Sequence, residues 1–428
     1  MRVLELDWGS SLGNSAFVKA LLFIYGFVGW SVIFPAVGVP RTLVTGMVTV
    51  GGFLMVLTRS RGTIRWPLAA VALISLTALV PSLYWWNWSS FPLVWSLSLA
   101  LVLTTYATER EIDGVIDLAT VFVLLLLVGA IIAQFNNVLG GRPLGSFPRP
   151  GDEDARILVL PFTLALEGRL DGSPRISGIY DEPGAFSFVI CLLAFLRRMR
   201  GRNPAITWAL LGLGCITFSL AHLIFVVCFL LGGNYERKEI LSIAAVGFFL
   251  LGLLAATPAG DMLVEQVGNR IFGEEIEGRL VRGDNRSERL ALAFENLAAE
   301  GKSIVVGMGA AAESEIFKMV GENPLTPLVR YGILASWPYY VYLGFGVSCL
   351  FGGRKGLSFF GVALLFAQRP YVQSDGYSLL AILALWGQFG SHASRRNFLT
   401  GLKEGGKWCT RNTRSADCEA ITKFGLIK

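Results

Sequence analysis

Long apolar runs, broken by short polar connections, set the pattern of this chain. Spans are expected at 17–38, 42–58, 66–83, 91–107, 115–135, 183–196, 204–218, 220–233, 240–257, 328–351, 357–369 and 377–390. Runs of this kind read as helices crossing a hydrocarbon layer of about 30 Å. Several are short for a perpendicular crossing and would be completed by polar residues facing the protein interior. The connections alternate. "TRSRGTIR" (58–65), "RRMRGRN" (197–203), "NYERKE" (234–239), "GGRKG" (352–356) and the tail from Ser391 fall on one side and are basic. The positive-inside rule makes that side the cytoplasm, with both termini there. One connection on the same side, "ATEREIDG" (107–114), is not basic. The aromatic turn "YWWNWSSFP" (84–92) falls on the other face, where Trp and Tyr favour the headgroup layer. Two longer polar stretches, 136–182 and 258–327, also fall on the outer face.

The expected fold is therefore an all-α polytopic membrane protein of about twelve transmembrane helices with two long outer loops. The segments are 1–135 (helices one to five), 136–182 (first loop), 183–257 (helices six to nine), 258–327 (second loop, with a short amphipathic helix), 328–390 (helices ten to twelve) and 391–428 (basic tail). Composition agrees. Of 428 residues 53% are hydrophobic and 16% charged, against about 25% charged in soluble chains. The first apolar run has no small-residue cleavage site after it and is expected to stay as an anchor. The net charge of +6 is concentrated in short connections, so it does not mark a nucleic-acid surface. No internal repeat stands out, so the inverted-repeat sign of many transporters is missing.

The chemistry lies in the outer loops. The first holds Arg142, Arg149, Arg156, Arg169 and Arg175; the second holds Arg270, Arg279, Arg282, Arg286 and Arg289, with Lys302 and Lys318. Neither loop is net basic: five cations face seven carboxylates in the first, and seven face twelve in the second. Arginine's planar fork grips carboxylate or phosphate with paired bonds and keeps its proton. These arginines either solvate the loops by pairing with neighbouring acids or converge on an anionic substrate. In "DNRSERLALAFENLAAEG" (284–301), Asn285 and Glu288 form a capping-box pattern, and Leu290, Phe294 and Leu297 recur at helical spacing. A short helix should start near Arg286, with Arg286 and Arg289 in its first turn. Cations there oppose the helix dipole, which favours a functional over a stabilising reading.

In "RISGIYDEPGAFSF" (175–188) a cap and a site are both open readings for the acids. Pro183 suits a first helical position, and Asp181 and Glu182 suit a helix N-terminus. "GMGAA" (307–311) reads as a turn. His222 lies in an apolar run and His392 in the tail, so no metal or histidine base is expected in the outer loops. Cys191, Cys215, Cys228 and Cys349 fall in apolar runs and read as small core residues.

Three stretches carry a resemblance. "RISGIYDEPGAFSFVICLLAFL" (175–196) is similar to an R-x-x-G…E-P pattern before a span, "ITFSLAHLIFVVCFLLGG" (216–233) holds a Thr-x-Ser hinge between short spans, and "VVGMGAA" to "ENPLTPLVRYGI" (322–333) follows a G-x-G…N-x-x-L…G order. Together with the topology they resemble the Wzy-type O-antigen and exopolysaccharide polymerases of the O-antigen polymerase/ligase superfamily. The resemblance implies a cofactor-free, metal-independent glycosyltransferase of the C-type membrane architecture in the bacterial inner membrane. It would join oligosaccharide repeat units carried on undecaprenyl diphosphate at the periplasmic face. Its partners would be the lipid-linked oligosaccharide and membrane lipid, with a chain-length regulator protein and a flippase as further candidates, and no nucleic acid. Diphosphate binding passes to Arg175 and then to Arg286, Arg289 and Arg282. Ligase relatives often carry His-Asn where this chain has Glu322-Asn323, so the base would fall to Glu322 or Glu182. The alternatives are an O-antigen ligase and a flippase or transporter of lipid-linked oligosaccharide. A transporter should place its charges near the midplane, not in outer loops.

Overall fold

The computed structural model describes residues 11–59, 65–85, 91–138, 141–149, 152–167, 174–217, 219–233, 235, 239, 241, 245, 286–299, 303–308, 323–352, 354–370 and 375–388. The fold is mostly helical. Helices α1 (Ser11–Phe23), α2 (Ile33–Ala36), α3 (Arg41–Arg59), α4 (Arg65–Trp85), α5 (Phe91–Tyr106) and α6 (Glu109–Val138) precede a sheet. After it come α7 (Pro183–Met199), α8 (Pro204–Gly214), α9 (Leu220–Leu231), α10 (Arg286–Ala299), α11 (Ser303–Val306), α12 (Thr326–Ser348), α13 (Arg354–Gln368) and α14 (Asp375–Gln388).

Among the described residues, three helical stretches are long and apolar enough to cross a membrane alone: Arg41–Arg59, Glu109–Asn136 and Thr326–Phe351. Seven more are apolar but shorter, Ser15–Val28 and Gly376–Leu385 among them. This is the helix content of a membrane protein. The expected span 240–257 lies largely outside the described residues.

The first long loop corrects the all-α expectation. It folds as a four-stranded antiparallel meander, β1 (Gly145–Arg149), β2 (Asp152–Leu160), β3 (Thr163–Glu167) and β4 (Pro174–Gly178), in the order β1-β2-β3-β4. Both faces of its two central strands, β2 and β3, carry buried residues. Ile157 and Leu164 pack with Val32, while Leu160, Ala165 and Ile176 join the main helical core. A strand buried on both sides shows no polar–apolar alternation, and "RILVLPFTLAL" accordingly hides its period of two.

α7 is the axis of the bundle. Every residue from Ala185 to Leu196 is buried, as a helix apolar on all sides requires. It packs on α6, α8, α9, α13, α14 and β4. Gly178, at the end of β4, has φ +68, and a Cβ there would stand 2.9 Å from the Phe186 ring. Glycine therefore lets the strand turn directly onto α7.

The end of the bundle away from the sheet is charged. Arg59 donates to Glu111 at 2.7 Å, and Arg200 pairs with Glu109. Arg202 reaches Asp117 at 3.1 Å and Asp113 at 3.7 Å. Buried Arg197 donates to Thr120 at 2.9 Å. Glu109, Asp113 and Asp117 recur every fourth residue, so they share one face of α6. The acidic exception among the basic connections is thus the counter-charge for "RRMRGRN". It also explains why α6 begins at Glu109 and not near 115: its first turns are polar because they meet arginines.

Candidate functional site

The sheet end of α7 gathers a second charge cluster. Glu182 occupies the N-cap position of α7 with extended backbone, and Pro183 fills the first turn, yet the Glu182 side chain makes no capping bond. It is held by two arginines instead. Arg149, at the end of β1, donates through Nη2 to Glu182 Oε1 at 2.6 Å and to Asp181 Oδ2 at 3.4 Å. Arg369, just past the C-terminus of α13, donates through Nη2 to Glu182 Oε2. The carboxylate thus links the sheet, the start of α7 and the end of α13.

The electrostatics follow from this geometry. Burial alone would raise the Glu182 carboxyl, but the guanidinium groups of Arg369 and Arg149 outweigh it and draw it down to about 2. Burial opposes the charge on Arg149 as well, and Glu182 and Asp181 more than restore it, so its affinity for the proton rises. Gly184 is part of the arrangement. A Cβ at Gly184 would stand 2.7 Å from Arg369 Nη2, so the guanidinium lies against the first turn of α7. A cation at a helix N-terminus opposes the dipole, and Glu182 supplies the compensating charge.

The same end holds the junction built by the G-x-G turn. Gly307 has φ +76, and Met308 N–H donates to Val329 O at 3.0 Å. α12 is broken at Gly332, with φ 68 and ψ 172. A Cβ on Gly332 would lie 2.4 Å from both Gly307 N and Val305 O, so the two backbones touch. Trp85 Nε1 closes the junction by donating to Val306 O at 3.2 Å. Asn323 is buried before α12. Its Oδ1 accepts from Leu325 N–H at 2.8 Å and its own N–H donates to Thr326 Oγ1 at 3.0 Å. That turn leads directly into α12. α10 docks here too, with Ala293 and Leu297 buried against Val329. Phe294 is exposed, so the inward stripe of α10 differs by one position from the expected one.

Of the expected site residues, Arg175 stands on β4, opposite Leu166 of β3. Arg286 and Arg289 lie in the first turn of α10. Arg282 and Glu322 lie outside the described residues. Arg369 was not singled out by sequence reasoning, because it closes the apolar run 357–369. An arginine at that place is itself the missed signal, since charge within a span is costly unless it has a partner. His222 is fully buried, with Nε2 2.7 Å from Leu211 O and Nδ1 3.3 Å from Cys191 Sγ, a packing environment. Cys191, Cys215, Cys228 and Cys349 are free thiols.

No family model, curated protein or solved structure matches the chain.

Proposed function

We propose that this chain is a membrane glycosyltransferase that polymerises oligosaccharide repeat units carried on undecaprenyl diphosphate. In this reading it crosses the bacterial inner membrane about twelve times, with both termini cytoplasmic and the sheet end facing the periplasm. The observation that carries the reading is the convergence of Arg149 and Arg369 on Glu182 at the start of α7. Planar guanidinium groups held at a helix N-terminus, at one end of an apolar bundle, suit a lipid-borne diphosphate. Further candidates in this reading are Arg175 on β4, Arg286 and Arg289 in the first turn of α10, and, from the sequence, Arg282.

The chemistry asks for alignment and charge stabilisation. The acceptor hydroxyl of one lipid-linked unit attacks the anomeric carbon of the other. The bond from that carbon to the diphosphate oxygen breaks, and its electron pair leaves on undecaprenyl diphosphate. Arginines meet the charge that grows on the leaving oxygens. The hydroxyl proton passes to a carboxylate, and Glu322 is the better candidate. Glu182, drawn down to about 2 by its two arginines, is a weak proton acceptor at neutral pH. Its role in this account is to hold Arg149 and Arg369 in place.

Arg175→Lys tests the reading in cells. Lysine keeps the charge but loses the fork, so polymer ladders should largely disappear while the protein level stays near normal. Unchanged ladders would remove Arg175 from the site.

A further inference from the structure

We infer that the β2–β3 hairpin dips into the hydrocarbon layer beside α6, with Phe162 as its lipid anchor. The sequence first sets the hairpin apart. From Ile157 to Leu166 there are ten residues without a charge, and Arg156 and Glu167 flank them at the open end. The tip is Pro161-Phe162, between the paired residues Leu160 and Thr163. Phe162 has φ 59 and is the one non-glycine residue with positive φ among those described. Left-handed backbone costs an ordinary residue roughly 1–2 kcal/mol, and turns in water usually place Gly or Asn there. Here the position holds an aromatic ring that is 77% exposed. That choice is unfavourable against water and favourable against acyl chains.

The location supplies the occupant. A Cβ on Gly129 would stand 2.8 Å from Phe162 Cβ and 2.9 Å from its carbonyl oxygen, so the tip lies directly against α6 at Gly129. Gly129 is inside the stretch Glu109–Asn136, which is long and apolar enough to cross a membrane. It lies nine residues before the end of α6 at Val138, or about 14 Å at 1.5 Å per residue. The five residue steps from Ile157 to Phe162 extend about 17 Å as a strand. The two lengths agree, so the apolar half of the hairpin runs alongside the last turns of the span. Leu125, Val128, Ile132 and Phe135 of α6 are exposed at helical spacing next to this contact, and Phe162 continues that apolar surface. Backbone demands at the tip are light, because Pro161 has no N–H and the flanking residues Leu160 and Thr163 pair with each other. The occupant is therefore bilayer hydrocarbon, whatever reaction the protein catalyses.

The test uses the full purified chain in lipid vesicles, with Cys409→Ser and Cys418→Ser removing the tail thiols. Phe162→Cys carries a fluorophore attached in detergent before reconstitution. Arg142→Cys, exposed ahead of β1, is the water-facing control. Lipids brominated on the acyl chain should quench the label at 162 strongly and the label at 142 little, with aqueous iodide showing the reverse. Unlabelled Phe162→Cys should react at least about tenfold more slowly than Arg142→Cys with a charged maleimide, until SDS is added, because charged reagents are excluded from hydrocarbon. Iodide quenching at 162 equal to that at 142 would overturn the inference. So would protection from both quenchers, which would mean a protein cover. Should Phe162→Cys fail to fold, Pro161→Cys gives the same readouts one residue earlier.

Discussion

Removing either end of the Glu182–Arg369 pair should cost more than the pair contributes on balance. A carboxyl drawn down to about 2 from an ordinary value near 4.3 prefers its charged form in the folded protein by about 3 kcal/mol. Two arginines supply that preference and also offset the cost of burial, so each pairwise coupling should be at least about 1–2 kcal/mol. The Glu182 side chain is 28% exposed and that of Arg369 is 9% exposed, so the stranded arginine is the more expensive orphan. Glu182→Gln should then destabilise more than Arg369→Gln, and the double variant should cost less than the sum of the two. Unfolding by SDS titration or heat in detergent, on all four proteins, gives the coupling. The pH dependence has a definite sign. The folded carboxyl lies below the unfolded one, so its contribution is complete above about pH 4.3 and is lost as pH falls toward 2. The Glu182→Gln protein should lack that part of the acid transition. Additive single effects, within about 0.5 kcal/mol, together with an unchanged acid transition, would refute the linkage.

Three further outcomes follow from the same geometry. Gly332→Ala puts a Cβ against the backbones of Gly307 and Val305, at positive φ, and should lower stability by about 2–4 kcal/mol; a shift under 0.5 kcal/mol in the same assay would deny the junction. Glu322→Gln should reduce turnover by about 10²–10⁴ with donor binding little changed, the scale of general-base loss, and full turnover would end the base assignment. Reporter fusions at Gly172 and Glu300 should both score on the outer face, and either one scoring inside would reverse the assignment of the sheet end.

The helices were legible where apolar runs were uninterrupted, and α10 was legible from its capping pattern and spacing. Reading by hydropathy alone placed the start of α6 six residues late. The acids at 109 and 113 look like a loop until "RRMRGRN" is folded against them. The sheet escaped because burial on both faces erased its alternation. In "RISGIYDEPGAFSF" the sequence left a cap and a site equally open. The structure gives Glu182 the backbone position of a cap and the side-chain partners of a charge cluster. Arg149 was visible only as one arginine among several. Arg369 was hidden at the end of an apolar run, and its pairing with a residue 187 positions away in sequence is a tertiary fact that no local pattern encodes.

The central claim is the polymerisation of lipid-linked repeat units. Its most direct test is reconstitution of the purified full chain in vesicles with undecaprenyl-diphosphate-linked oligosaccharide and no added metal or nucleotide. The account predicts a ladder of longer lipid-linked glycans with release of undecaprenyl diphosphate, and near-total loss of both in Arg175→Lys. Units that remain monomeric with the folded wild-type protein, or that only move across the bilayer, would contradict it.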